Sequence, residues 1–234
     1  MVQLHLALHR TDTENLPMDD SAPEVPEAPA PEQLDCAVAA LLGALELRHP
    51  GTCRHAERVA EIALDLTSLV RPELAATEGI GHAYLLHDVG KIGMLDAILL
   101  KPGRITPDEL RVVRALTRLG EELVRRLRFL SPLVRDVVAC HHERWDGDGY
   151  PRNLRGPWIP LAARIFSVVD AFDAMTHERP YRDALPAEEA VAEIERCSGT
   201  QFDPSIVADF LRMVTDVGLP VEGGRTHLRV ASAS

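Results

Sequence analysis

From Leu34 almost to the C-terminus, apolar residues recur at a helical period, and no alternating run long enough for a β-strand interrupts them. That pattern predicts an all-α chain. Helices are expected near 34–48, 54–70, 73–88, 107–128, 132–142, 160–176, 186–197 and 204–215. Thr106-Pro107-Asp108-Glu109 reads as a helix start: an N-cap, proline in the first helical position and acidic residues in the first turn. Asp203-Pro204 repeats the signal. The stretch 143–159, rich in glycine and proline, is the one long irregular segment, and such a loop in a helical domain is usually functional or mobile.

The ends differ from the middle. Residues 1–33 carry five prolines and seven acidic residues between Asp12 and Glu32, too little apolar area to offset ordering entropy, and read as a disordered acidic leader. Residues 34–218 form the expected single helical domain, and 219–234, with Gly223 and Gly224, a flexible tail. With 234 residues and a net charge of -11, the chain fits one domain and is a poor match for a polymeric nucleic acid. A small phosphodiester is still compatible, because a bound metal supplies positive charge locally. The four cysteines form no CxxC pair, which suits a reducing compartment, and neither a signal peptide nor a membrane span is evident, so a cytoplasmic location is expected.

Four helices place ligand-type side chains where apolar ones belong. His55 shares a stripe with Val59, Ile62, Ala63 and Leu66. His87 extends the face of Ile80 and Tyr84, with Asp88 next to it. His141 continues Val134, Val137 and Val138, with His142 adjacent. Asp170 continues Ala163 and Phe166. A single histidine on such a face is more often a hydrogen-bonded core residue than a ligand. A buried aspartate is costly unless a cation or strong donors meet it. A shared metal centre satisfies all six at once, and mixed imidazole and carboxylate donors suit iron, manganese, zinc or nickel.

His87-Asp88-Val89-Gly90-Lys91 resembles the HDxGK signature of HD-superfamily phosphohydrolases. His141-His142-Glu143-Arg144-Trp145-Asp146-Gly147-Asp148-Gly149-Tyr150-Pro151 resembles the HHExxDGxGYP signature of the HD-GYP branch. Further blocks follow in the family's order at Ile159-Pro160, Val169 to Thr176, Arg179-Pro180-Tyr181-Arg182 and Gly199 to Pro204. The resemblance spans about residues 34–215. It implies a single HD-domain helical bundle with a C-terminal helical extension and a cyclic di-GMP phosphodiesterase that yields pGpG, GMP or both.

Residue by residue, the resemblance implies His55, His87, Asp88 and Asp170 as ligands of one metal. His141 and His142 would hold a second metal, with Asp88 bridging. It implies Asp88 and Lys91 at the reacting phosphate, and Arg179 and Arg182 near the substrate phosphates. Tyr150 would belong to a loop linked to substrate access and to GGDEF-domain partners. Iron or manganese is the expected metal, and a homodimer is a compatible assembly.

The text departs from the family twice. Where another histidine ligand is usual, this chain has Leu116, read here as part of an apolar stripe with Val112, Leu119 and Leu123. Four residues before His55, where some members have glutamate, it has Gly51. The expectation is one firm metal site and one weaker one. Two alternatives stand beside the enzyme: a catalytically weakened module that binds nucleotide or protein partners, and a phosphohydrolase of another cyclic nucleotide.

Overall fold

The computed structural model describes residues 30–99, 101, 106–178, 183–217, 219–221 and 224–226. The leader up to residue 29, Arg179 and Arg182 lie outside these.

Eleven α-helices make up the described fold: α1 (Pro31–Arg48), α2 (Thr52–Val70), α3 (Pro72–Ala75), α4 (Ile80–Leu85), α5 (Asp96–Leu99), α6 (Pro107–Arg114), α7 (Leu116–Arg126), α8 (Pro132–Cys140), α9 (Leu161–Thr176), α10 (Ala187–Arg196) and α11 (Pro204–Val217). Two 3-10 turns, Val89–Gly93 and Gly156–Trp158, join them. Of the expected tail, Leu219–Val221 and Gly224–Thr226 pair as a short antiparallel hairpin.

The expected helix starts form as their sequences dictate. The backbone N–H of Glu109 donates to Thr106 Oγ1 at 3.3 Å, and the N–H of Thr106 donates to Glu109 Oε2 at 2.8 Å, a reciprocal cap. Asp203 Oδ1 accepts from the Ser205 N–H at 2.9 Å at the head of α11. α1 starts at Pro31, three residues earlier than read, because proline suits the first helical turn.

Two expected helices are broken. The 73–88 segment divides into α3 and α4 at Gly79, which has φ +85°. A Cβ there would lie 2.5 Å from that of Ser131, so glycine lets α8 begin against this turn. The 107–128 segment divides at Ala115. The stripe assigned to Leu116 is therefore not continuous: Leu116 is buried, but Val112 and Leu119 are each 41% exposed.

α2 packs on α4 and α9, and α8 packs on the same two, so four helices close a ring. Inside and behind it lies the main core, with Val59, Leu66, Tyr84, Val137, Phe166 and Phe172 all essentially inaccessible. α11 adds Phe210 to this core, its ring tilted against that of Phe172 at 5.6 Å. No described helix is long and apolar enough to cross a membrane.

Candidate metal centre

Each helix of the ring delivers side chains to its interior. His55 lies in the first turn of α2, and Asp170 on α9. His87 and Asp88 follow α4, and His141 and His142 follow α8, which ends at Cys140 rather than at residue 142. Ligand-type atoms of His55, His87 and Asp170 lie within 4.8 Å of one another. The ring of His141 is 5.4 Å from that of His87, and His142 is 4.0 Å from His141. Asp88 Oδ2 is 3.2 Å from His87 Nε2 and 2.5 Å from the Lys91 ammonium. The structure thus brings all six sequence-predicted ligands and Lys91 to one place.

The orientation of the imidazoles decides what the place can hold. His87 Nδ1 donates to the Tyr84 carbonyl at 2.9 Å, and His141 Nδ1 to the Val137 carbonyl at 3.0 Å. A carbonyl accepts only, so each Nδ1 carries a proton, and in the neutral ring each Nε2 keeps its lone pair. Those two Nε2 atoms are buried without a hydrogen-bond partner; among described residues only His82 Nδ1, beside α1, shares that condition. Buried acceptors left unpaired are costly, and their tautomer is the one a metal ligand needs. The donor set fits a divalent transition metal.

The charges agree. Burial holds the His141 imidazole down at about 3, helped by His142 and His87, and burial lowers His142 as well. Both rings are neutral near pH 7. Burial disfavours charge on Asp88 and Asp170, but Lys91 and His87 outweigh it at Asp88, and His55 and His87 outweigh it at Asp170. Both carboxyls sit well below the ordinary range and are ionised. Burial also opposes charge on His55, yet its contacts with Asp170 and Asp173 raise it to about 9. Without a metal, His55 holds a proton between two carboxylates.

Asp173 is a site residue that sequence reasoning missed. It is 2% exposed and accepts from His55 Nδ1 at 2.7 Å and from Arg58 Nε and Nη2 at 2.5 and 3.0 Å. His177 Nδ1 is 3.2 Å from its other face. The spacing held the signal: Asp173 is one turn after Asp170, and Arg58 one turn after His55, so each pair shares a helix face.

The 143–159 loop is held in place as one wall of the site. Glu143, 4% exposed, accepts the N–H groups of Arg152 at 2.7 Å and Leu154 at 3.0 Å. Trp145 and Asp146 donate backbone N–H to the carbonyls of Gln201 and Thr200. A Cβ on Gly149 would sit 2.3 Å from the Arg144 nitrogen, so only glycine lets the loop fold back on itself. The Tyr150–Pro151 peptide is cis. Tyr150 turns inward: its ring lies 4.8 Å from His142, with the Arg114 guanidinium 5.4 Å from its centroid. Burial pushes its phenol up to about 12.

Leu116 is 8% exposed yet belongs to neither apolar cluster of the core. Its carbonyl would be 2.1 Å from a Cβ on Gly90, the glycine of the HDxGK-like block. α7 therefore abuts the turn that follows His87 and Asp88, and at this position it carries a hydrocarbon.

A family model described as HD domain matches residues 40–206. A Thermotoga maritima protein named cyclic di-GMP phosphodiesterase is 40% identical over 196 residues, covering 78% of this chain and 52% of that protein. A Vibrio cholerae protein named 3'3'-cGAMP-specific phosphodiesterase 3 is 37% identical over 198 residues, covering 83% of this chain and 40% of that one. The chain thus spans about half the length of these relatives or less. The crystal structure of a cyclic GMP-AMP-specific phosphodiesterase from V. cholerae superposes with a TM-score of 0.54 at 24% identity, over 77% of this chain and 48% of that one. At that identity the likeness establishes the helical fold.

Proposed function

Because this chain belongs to the HD domain family, in the branch that bears the HD-GYP signature, we propose that it is a metal-dependent phosphodiesterase that hydrolyses cyclic di-GMP to pGpG, GMP or both. The observation that carries this reading is the pair of buried, unpartnered Nε2 atoms on His87 and His141, facing a site with two ionised carboxylates and Lys91. The names of the relatives, given to proteins about twice as long, point the same way.

In this reading His55, His87, Asp88 and Asp170 would hold one metal ion. His141 and His142 would hold a second, sharing Asp88. Iron or manganese suits the mixed donors. Once bound, the metal supplies Lewis acidity, which makes a nucleophile of water near neutral pH and neutralises charge on phosphodiester oxygens.

The chain's own groups do the rest. Lys91, anchored on Asp88, sets a compact positive charge beside the phosphate. Arg179 and Arg182 would grip the other phosphate oxygens with forked donors. His141 and His142, neutral by burial, add no repelling charge of their own. Hydrolysis adds water across one P–O bond: phosphorus keeps the new oxygen as a 5'-phosphate, and the departing 3'-oxygen takes the proton. Tyr150, whose ring lies 4.8 Å from that of His142 and which lines the adjoining cavity, would act in substrate access. A GGDEF-domain partner would dock on the outer side of the same loop, where Asp148, Arg152 and Asn153 are exposed.

One observation favours a second reading. Leu116 puts a buried hydrocarbon on the helix that abuts the metal-bearing turn, and a site short of one ligand would bind nucleotide with little turnover. One assay separates the two. Protein loaded with manganese or iron is incubated with cyclic di-GMP, and pGpG and GMP are followed by chromatography. Product supports the enzyme; binding without product at micromolar enzyme supports the weakened module.

A further inference from the structure

A cavity of about 450 Å³ shares His141, His142 and Asp170 with the metal centre and extends beyond it. Its apolar walls come from Ala174 and Met175 on α9 and from the Phe202 ring. Its polar end is Arg144 with Gln201, two residues to which no role has yet been given. Arg144 is fixed by Asp146, to which Nε and Nη2 donate at 3.1 and 2.6 Å. That leaves Nη1, whose partner, Gln201 Oε1, is 3.4 Å away and only weakly engaged. The guanidinium is thus preorganised and keeps a donor for something else.

We propose that this cavity seats one guanine base of the substrate, with Arg144 donating to the O6/N7 edge. The inference rests on the phosphodiesterase reading and names the base that the site selects. Guanine presents only acceptors along that edge, so the Nη1 donor finds one there, whereas adenine puts an amino donor where guanine has O6. Donor would then face donor, which costs more than a missing contact. The apolar wall suits a base: the Met175 thioether offers a polarisable surface. The cavity also joins the metal centre directly, so a nucleoside seated there keeps its phosphodiester beside Lys91 and Asp88. One guanine suffices, so cyclic di-GMP and 3'3'-cGAMP both qualify and cyclic di-AMP does not.

The test uses the full chain loaded with manganese, with metal content measured for every variant. Initial rates give KM and kcat for cyclic di-GMP, 3'3'-cGAMP and cyclic di-AMP, and calorimetry gives Kd where turnover is slow. The wild type should favour the two guanine-containing ligands over cyclic di-AMP by about 10- to 100-fold, the range of one good arginine–guanine contact. Arg144→Met should erase most of that preference through KM or Kd, with metal content unchanged. Gln201→Glu, which keeps the Asp146 pair intact and draws Nη1 away from the cavity, should do the same, and it covers the case in which Arg144→Met does not fold. Ala174→Phe should weaken all three ligands by filling the seat. Equal handling of cyclic di-AMP by the wild type overturns the proposal. So does an unchanged preference in both Arg144→Met and Gln201→Glu. If the wild type neither binds nor cleaves any cyclic dinucleotide, the phosphodiesterase reading itself fails and the guanine seat with it.

Discussion

His55 Nδ1 donates to Asp173 Oδ2 at 2.7 Å, and Arg58 holds the same carboxylate from the other side. The carboxylate fixes the ring so that Nε2 faces Asp170, 3.4 Å away. It also raises the His55 imidazole, with Asp170, to about 9. A metal must displace that proton, so metal uptake should release a proton and tighten as pH rises toward 9. Calorimetric titration in buffers of different ionisation enthalpy measures the proton count; no release between pH 6 and 8 contradicts this picture.

Asp173→Asn should loosen the ring while leaving the ligands in place. Losing an orienting carboxylate of this type costs ~10- to 100-fold in metal affinity. Competition with a chromogenic chelator measures it, and Asp173→Glu should recover part of the loss. Unaltered affinity in Asp173→Asn would reduce Asp173 to a packing residue.

Acid should unfold the metal-free protein through its buried histidines. His141 sits at about 3 in the folded chain against 6.5 ordinarily. Between those values the unfolded chain binds a proton that the folded chain refuses, so stability falls as pH drops from 6.5 toward 3. His142 shifts in the same direction. Urea denaturation at stepped pH should show this limb, and His141→Leu should flatten it. An equally steep limb in the variant would place the acid sensitivity elsewhere.

Leu116→His tests the missing ligand. Manganese per chain, by elemental analysis, should rise from about one toward two, and turnover of cyclic di-GMP should rise with it. Two full equivalents in the wild type would show that water or other groups already complete the second site.

Gly90→Ala should damage the fold and the site together. The added methyl would meet the Leu116 carbonyl at 2.1 Å and the Gly120 nitrogen at 2.9 Å, both backbone atoms. Helix α7 must shift, at a cost of about 2–3 kcal/mol. Urea denaturation of the metal-free protein reads this directly; a change under 0.5 kcal/mol, well below ordinary overpacking costs, would contradict the close crossing.

The ring and its ligands were legible because polar residues in apolar stripes are expensive. His55, His87, His141 and Asp170 each interrupt a buried face, and the interruption is visible without coordinates. The broken helices were read through: Gly79 is a breaker that the helical pattern on either side overrode, and nothing at Ala115 marks a break. Asp173 and Glu143 escaped for another reason. Both are buried acids: the one-turn spacing put Asp173 beside Asp170 but did not name its partners on α2, and Glu143 meets backbone N–H groups, which no spacing reveals. Arg144 drew no reading of its own for the same reason, since its neighbour Gln201 is 57 residues away.

The mooring of Trp145 and Asp146 on Thr200 and Gln201 binds two stretches of chain into a single shaped object. Transplanting residues 141–159 alone onto another helical scaffold would carry the letters of the motif without its form. A working graft must bring 199–204 with it, and a substitution in either stretch should be tolerated only when its counterpart adapts.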